Sequence, residues 1–327
     1  MPLDKTSAIR ISLCICLWLG MPKMLFASEY SVVHGWPKLP AGRMLGQATG
    51  VGVDSHNHVF VFHRAGREWS DTPPAEAIPY ATVTVFDGAT GEQVAEWGKD
   101  IFLMPHGLTI DDQDNVWLTD VQLHQVFKFS HDGELMLELG TAREMGDDSS
   151  HFNLPTDVAV LPGGDFYVSD GYGNARVVKY SPVGEFEFQW GNKGSGPGEF
   201  DLPHGISVDN EGRVYVADRS NRRVQVFNAA GEYLSEWKSE QLGRPYGVAI
   251  GPAGTAFVVD GGDQPQHPPD RSQAFQLSLS GKIEAVFGSF GNQDGQFRLG
   301  HDIAVGGDGA VYVVDAWGMR VQKFVQK

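Results

Sequence analysis

The sequence predicts an all-β fold, a six-bladed propeller, and three observations carry that prediction. First, one segment recurs along the chain. It reads LPHGISVDNEGRVYVAD at Leu202–Asp218, MPHGLTIDDQDNVWLTD at Met104–Asp120 and LPTDVAVLPGGDFYVSD at Leu154–Asp170. RPYGVAIGPAGTAFVVD (Arg244–Asp260), LGHDIAVGGDGAVYVVD (Leu299–Asp315) and a degenerate first copy, ATGVGVDSHNHVFVFHR (Ala48–Arg64), make six. Second, the anchors Val51, Leu108, Val158, Ile206, Val248 and Ile303 recur at intervals of 42 to 57 residues, a period that belongs to propellers and solenoids. Third, apolar and polar residues alternate within each copy, with Gly, Asn and Asp between the runs. No stretch of about 11 residues or more keeps a helical period.

Residues 1–28 differ in kind from the rest. Lys5 and Arg10 precede an apolar run, Ile11–Met21, and a short tract ends near Ala27–Ser28. That is the layout of a secretory signal, and the run is too short to span a bilayer. The expectation is a secreted or periplasmic protein with no membrane span in the mature chain. Both cysteines, Cys14 and Cys16, fall inside this segment, so the mature chain is expected to hold no disulfide.

Residues 29–327 then read as one six-bladed domain. The segment Tyr30–Trp36 (YSVVHGW) looks like the blade-ending segments QVAEWG and FEFQWG, whereas only one strand, Met319–Val325, follows Asp315. We therefore expect a strand at about residues 30–36 to complete the last blade and cover its edge. The fourth copy shows the unit: strands at Gly205–Val208, Arg213–Ala217, Arg223–Phe227 and Tyr233–Trp237, with an Asp209–Gly212 turn after the first. Four strands per unit and six units around a channel give the architecture. The net charge of −16 argues against nucleic acid and anionic membrane as partners. A monomer is expected.

Two columns of the repeat carry chemistry. One reads Thr49, His106, Thr156, His204, Tyr246 and His301, so that alternate copies supply imidazole. Six blades stand about 60° apart, which brings residues at one level in alternate blades together on the axis. Three neutral imidazoles on a divalent ion leave a coordination position open, the pattern of a catalytic zinc site, although imidazole also suits copper, iron and nickel. The second column, thirteen positions after each anchor, reads Arg64, Val121, Gly171, Arg219, Gly261 and Ala316, with Tyr172 one position later in copy three. Two opposed guanidinium groups suit a carboxylate. The aspartates Asp120, Asp170, Asp218, Asp260 and Asp315 recur in every copy but the first and read as structural. His124, His131, His151 and His267 fall outside the matched column and read as loop or surface residues.

The repeat resembles the NHL repeat, most clearly over Gly194–Trp237. FVFHR (Phe60–Arg64), TDVQLHQVFKF (Thr119–Phe129), LPTDVAV (Leu154–Val160) and SDGYGNARVVKYSP (Ser169–Pro182) narrow the resemblance to the peptidyl-α-hydroxyglycine α-amidating lyase family, from about residue 45 to the C-terminus. That resemblance implies zinc on His106, His204 and His301, a catalytic Tyr172 and active-site arginines Arg64 and Arg219. It also implies a structural calcium on the carbonyls of Val51 and Leu108 and the carboxylate of Asp302, hard oxygen ligands of the kind calcium takes. The implied reaction cleaves the N–C bond of a carbinolamide, releasing an amide and glyoxylate from a peptide or small molecule with an α-hydroxyglycine-like end. In it a metal held by the three histidines would supply Lewis acidity toward the substrate hydroxyl, Tyr172 would take the hydroxyl proton, and Arg64 and Arg219 would hold the carboxylate. The sequence departs from the family at Leu299, where a methionine is usual, at LGHD in place of MPHD, and at Gly173, where vertebrate members have a disulfide-bonded cysteine. A copper monooxygenase half is not among these residues. Two rival readings are a related metal-dependent lyase or hydrolase on another small substrate and a non-catalytic NHL binding platform. A third, a propeller binding sugar or cell wall, has only the fold behind it.

Overall fold

The computed structural model describes residues 30–40, 42–251, 254–262 and 271–327. The expected signal segment and His267 lie outside them. Blade one is Ala48–Val53, His58–His63, Val83–Asp87 and Gln93–Trp97, hydrogen-bonded in that order as an antiparallel meander. Blades two to five repeat the plan from inner strands Pro105–Ile110, Pro155–Val160, Pro203–Val208 and Pro245–Gly251. Blade six takes Gly300–Val305, Val311–Asp315 and Arg320–Gln326 from the end of the chain. Its outermost strand is Tyr30–Val32, with Tyr30 opposite Gln326 and Val32 opposite Phe324. The edge strand is shorter than the segment read from sequence. Trp36 instead leaves the sheet and packs its ring 5.0 Å from Tyr312 and 6.0 Å from Phe86, across the seam to blade one.

The burial pattern explains why these residues choose strands. Second strands such as Val116–Asp120 and Val214–Asp218 are buried on both faces, because each blade is sandwiched between two others. Outer strands such as Leu135–Leu139 and Phe186–Trp190 face water along much of their length and keep the alternation of a half-exposed strand. The core is thus a ring of inter-blade layers. Between blades one and two, for instance, Phe60, Phe62 and Val85 meet Leu108, Leu118 and Phe127. Among the described residues there is no α-helix, and no helix is long and apolar enough to cross a membrane.

The recurrent aspartates tie each blade to its own entry. Asp218 is fully buried and accepts from the backbone N–H of Asp201, from Asn221 Nδ2 and from Arg223 Nε at 2.7 to 2.8 Å. Asp170 and Asp260 do the same with Arg176 and Arg271, and Asp120 takes four backbone N–H groups. Their role is structural.

Candidate metal centre and catalytic pocket

In all six blades the inner strand slips register against its neighbour at the histidine column. Pairing jumps from Pro105 to Leu108, from Pro203 to Ile206 and from Gly300 to Asp302, with matching shifts at Ala48/Gly50, Pro155/Asp157 and Pro245/Gly247. A β-bulge re-aims the side chain of the unpaired residue. Here it brings three imidazoles together on the channel axis. The ring centroids of His106, His204 and His301 are 4.8, 4.8 and 4.9 Å apart, with interplanar angles of 67° to 70°. Their ligand nitrogens lie within 4.8 Å of one another.

Each ring is held by the next residue of the same column. His106 Nδ1 bonds the carbonyl of Thr156 at 2.7 Å, His204 Nδ1 that of Tyr246 at 2.8 Å, and His301 Nδ1 that of Thr49 at 2.7 Å. A carbonyl only accepts, so Nδ1 carries the proton and Nε2 presents a lone pair inward. Burial is the main reason the rings stay neutral. It pushes His301 down to about 3, with the Arg64 charge adding to it, and holds His106 and His204 well below the ordinary histidine range. Neutral, Nδ1-anchored, convergent imidazoles are the donor set a divalent ion requires, so the residues fit such an ion. The altered LGHD context does not displace His301. Gly300 accommodates close approach instead, since a Cβ there would lie 2.4 Å from Val259 Cγ2.

Tyr172 reaches the same point from blade three. Its hydroxyl is 3.1 Å from His106 Nε2, 3.2 Å from His204 Nε2 and 3.4 Å from Arg219 Nη1. Arg219 stacks on Tyr246, with the guanidinium carbon 4.1 Å from the ring centroid. Its Nε is buried without a hydrogen-bond partner, a donor that calls for an acceptor. Arg64 is 3% exposed, donates to Gln47 Oε1 at 2.6 Å and to the Pro105 carbonyl at 3.1 Å, and faces Trp69. Burial lowers its pKa to about 10, which leaves it a cation at neutral pH. Arg64, Trp69, Tyr172, Arg219, Tyr246 and His301 line one open cavity of about 540 Å³. Five separate blades thus contribute to one pocket. Gly173, beside Tyr172, packs where a Cβ would come 2.1 Å from Asn153 Cγ, so the loop meets its neighbour without the cysteine.

Below the trio lies a space of about 10 Å³, and beyond it a channel of about 230 Å³ lined by Val51, Leu108, Asp157 and Asp302 among others. Asp302 accepts from Ile303 N–H at 2.8 Å and Val51 N–H at 3.0 Å. Asp157, three blades away, accepts from Val158 N–H at 2.8 Å and Ile206 N–H at 3.0 Å. Burial pushes Asp302 up to about 7 and raises Asp157 well above the carboxylate range, with the Asp302 charge contributing to the latter. Two carboxylates facing one channel, Asp157 buried and Asp302 half-buried, fit a hard divalent cation. Asp157 was missed from sequence. The signal was present, because the column after the histidines reads Gly50, Gly107, Asp157, Gly205, Gly247 and Asp302, with its two acids three copies apart. Trp69 was also missed, since it lies in a blade-one excursion with no counterpart in other copies.

His124 and His131 lie in turns, as expected. His124 is buried there, and its Nδ1 accepts from the backbone N–H of Leu154 at 3.1 Å. His131 shares a cluster with Asp54 and His58. His151 pairs with Asp148 on a loop.

Fold and site define a class: a six-bladed propeller whose channel holds a buried triple-histidine centre under a pocket with two arginines. The NHL repeat family matches residues 152–180 and 200–227. The chain is 37% identical over 309 residues to peptidyl-glycine alpha-amidating monooxygenase B of Xenopus laevis, covering 88% of this chain but only 35% of that protein's length. It is 32% identical over 307 residues to peptidyl-alpha-hydroxyglycine alpha-amidating lyase 2 of Drosophila melanogaster, covering 87% of this chain and 71% of that one. The chain belongs to the peptidyl-α-hydroxyglycine α-amidating lyase family. A gluconolactonase structure from Xanthomonas campestris matches with a TM-score of 0.60 at 13% identity, over 87% of this chain and 89% of the other, which shows the fold alone.

Proposed function

We propose that the chain is a zinc-dependent lyase that cleaves R–CO–NH–CH(OH)–COO⁻ into R–CO–NH₂ and glyoxylate. The observation that carries this reading is that Tyr172, Arg64 and Arg219 share one cavity with His301, while the Tyr172 hydroxyl reaches His106 and His204 at 3.1 and 3.2 Å. His106, His204 and His301 would hold the ion, which supplies Lewis acidity toward the substrate hydroxyl. Arg64 and Arg219 both line the cavity, where their guanidinium groups would hold the substrate carboxylate. Gln47 and the Pro105 carbonyl fix the Arg64 guanidinium, so little side-chain freedom is lost on binding. Tyr172, whose oxygen lies 3.1 and 3.2 Å from two nitrogens of the trio, would relay the proton, accepting the substrate hydroxyl's proton as its own passes to the departing amide nitrogen. Atoms balance: the C–N bond breaks, the carbinol carbon becomes the glyoxylate aldehyde, and the hydroxyl hydrogen ends on nitrogen. Val51, Leu108 and Asp302, with Asp157 in the same channel, would hold calcium as a structural ion. The N-terminal segment would direct the protein to the periplasm or outside the cell.

Metal analysis coupled to a glyoxylate-release assay tests the reading. Wild type should retain metal stoichiometrically and release glyoxylate from an α-hydroxyhippurate-like substrate. His204→Ala should lose both. A wild type that retains metal and releases no glyoxylate would move the assignment to another small substrate, and one that retains none would favour a binding platform.

A further inference from the structure

We propose that Asp54, His58 and His131 form a second site for a zinc-class divalent ion, on the propeller face opposite the histidine trio. Asp54 follows the inner strand of blade one and His58 opens the next strand, whereas His131 sits in the hairpin turn between Gln125–Phe129 and Leu135–Leu139 of blade two. Both imidazoles aim at one oxygen: Asp54 Oδ2 is 2.8 Å from His58 Nδ1 and 2.9 Å from His131 Nε2. The other oxygen, Oδ1, is occupied by the backbone N–H groups of His56 and His58 at 2.9 and 2.6 Å. The turn therefore fixes the carboxylate and leaves one oxygen to the two rings. The three ligand atoms lie within 4.8 Å of one another.

The other copies of the repeat show what is unusual here. In blade four the same slot holds Asp209, paired with Arg213 Nε at 2.6 Å and Tyr215 Oη at 2.8 Å. In blade two Asp111 takes Asn115, Trp117 Nε1 at 2.9 Å and Lys128 Nζ at 3.4 Å. Arg213, Trp117 and Lys128 can only donate at those atoms. Blade one puts two imidazoles there, the side chains that become metal ligands when a ring nitrogen gives up its proton. His131 also has an outer partner, since its Nδ1 is 3.2 Å from Asp132 Oδ1. A carboxylate on the far nitrogen is the arrangement that orients metal-binding histidines.

The fit needs only a small opening. An ion at about 2.0–2.1 Å from each ligand places tetrahedral ligand atoms about 3.3 Å apart, roughly 0.5 Å wider than the present hydrogen bonds. The side chains of His58 and His131 are 30% and 38% exposed and free to make that adjustment, whereas Asp54 is fully enclosed. Both nitrogens of His131 now face carboxylates, so binding through Nε2 displaces that proton to solvent and keeps Nδ1–H on Asp132. The ion would staple blade one to the blade-two hairpin across their seam. It is not part of the catalytic pocket.

Titration of the full chain with Co²⁺, read by visible absorption and confirmed by Zn²⁺ competition, tests the site. Wild type should bind one equivalent more than the double variant His58→Gln, His131→Gln, with an unchanged thermal transition showing the variant folded. Asp132→Asn, a change at an exposed position, should weaken that equivalent about tenfold. His204→Ala should keep it, which separates this site from the trio whatever becomes of the lyase reading. Equal stoichiometry in wild type and the double variant, or no effect of Asp132→Asn, would overturn the proposal.

Discussion

Replacing Asp302 with asparagine should stabilise the metal-free protein at alkaline pH, an uncommon sign for a change at a half-buried, doubly hydrogen-bonded residue. Burial raises this carboxyl from 3.8 to about 7. A raised acid pKa means the folded state binds the proton more tightly than the unfolded chain. Stability from this group is therefore intact below about pH 4 and is lost as pH climbs to about 7. About three pKa units correspond to about 4 kcal/mol of destabilisation once the folded carboxyl is ionised. Asparagine removes that term but turns one donor toward Val51 N–H or Ile303 N–H, at a cost of about 1–3 kcal/mol. The electrostatic gain wins near pH 8 and the lost hydrogen bond offsets it at lower pH. The measurement is denaturant unfolding with EDTA and EGTA present, for wild type and variant. The variant-minus-wild-type difference should grow by about 2 kcal/mol between about pH 5.5 and about pH 8. Added calcium should then stabilise wild type and leave the variant unchanged. A difference that is the same at both pH values would refute the account of a strained, cation-seeking carboxylate.

Three further outcomes follow from the site. Tyr172→Phe should lower kcat for glyoxylate release by about 10²- to 10⁴-fold while metal content, read by atomic emission, stays the same; unaltered turnover would take Tyr172 out of the proton path. Since burial holds His301 down to about 3 and keeps its two partners well below the usual range, protons should not compete with metal at the trio until well below about pH 5. Competition titrations giving a ten- to hundredfold loss of affinity between about pH 7 and about pH 5 would contradict that. Asp218→Ala should cost about 3–5 kcal/mol by urea melt, because Arg223 is left buried with its Nε partner gone. A loss below about 1 kcal/mol would place the recurrent aspartates outside the framework.

The architecture was legible because a propeller writes its period into the chain. A matched column such as Thr49, His106, Thr156, His204, Tyr246, His301 fixes blade number and ligand level together. The second column was legible for the same reason and named Arg64 and Arg219. What could not be read were contacts made by groups without sequence identity. The carbonyls of Thr49, Thr156 and Tyr246 orient the rings, yet any residue has a carbonyl, and the bulge that delivers them leaves no residue signature. Asp157 was readable in principle but stood beside a column that had already drawn attention. Trp69 belongs to an excursion that appears once, so no comparison between copies could reveal it. His124 and His131 were placed in loops, but their contacts stayed hidden, because histidines outside a matched column look alike whether they accept from a neighbouring strand or share a carboxylate.

The hand-over of each imidazole to the next blade's carbonyl makes every ring a two-blade device, so the smallest piece that carries a correctly aimed imidazole is two adjacent blades. His301 is the instructive case, because its acceptor is the carbonyl of Thr49 in the first blade. It is aimed only once the last blade meets the first, so ring closure sets the geometry of the trio as well as the pairing of the sheet edge. A chain that failed to close would keep two oriented rings and leave the third without its acceptor.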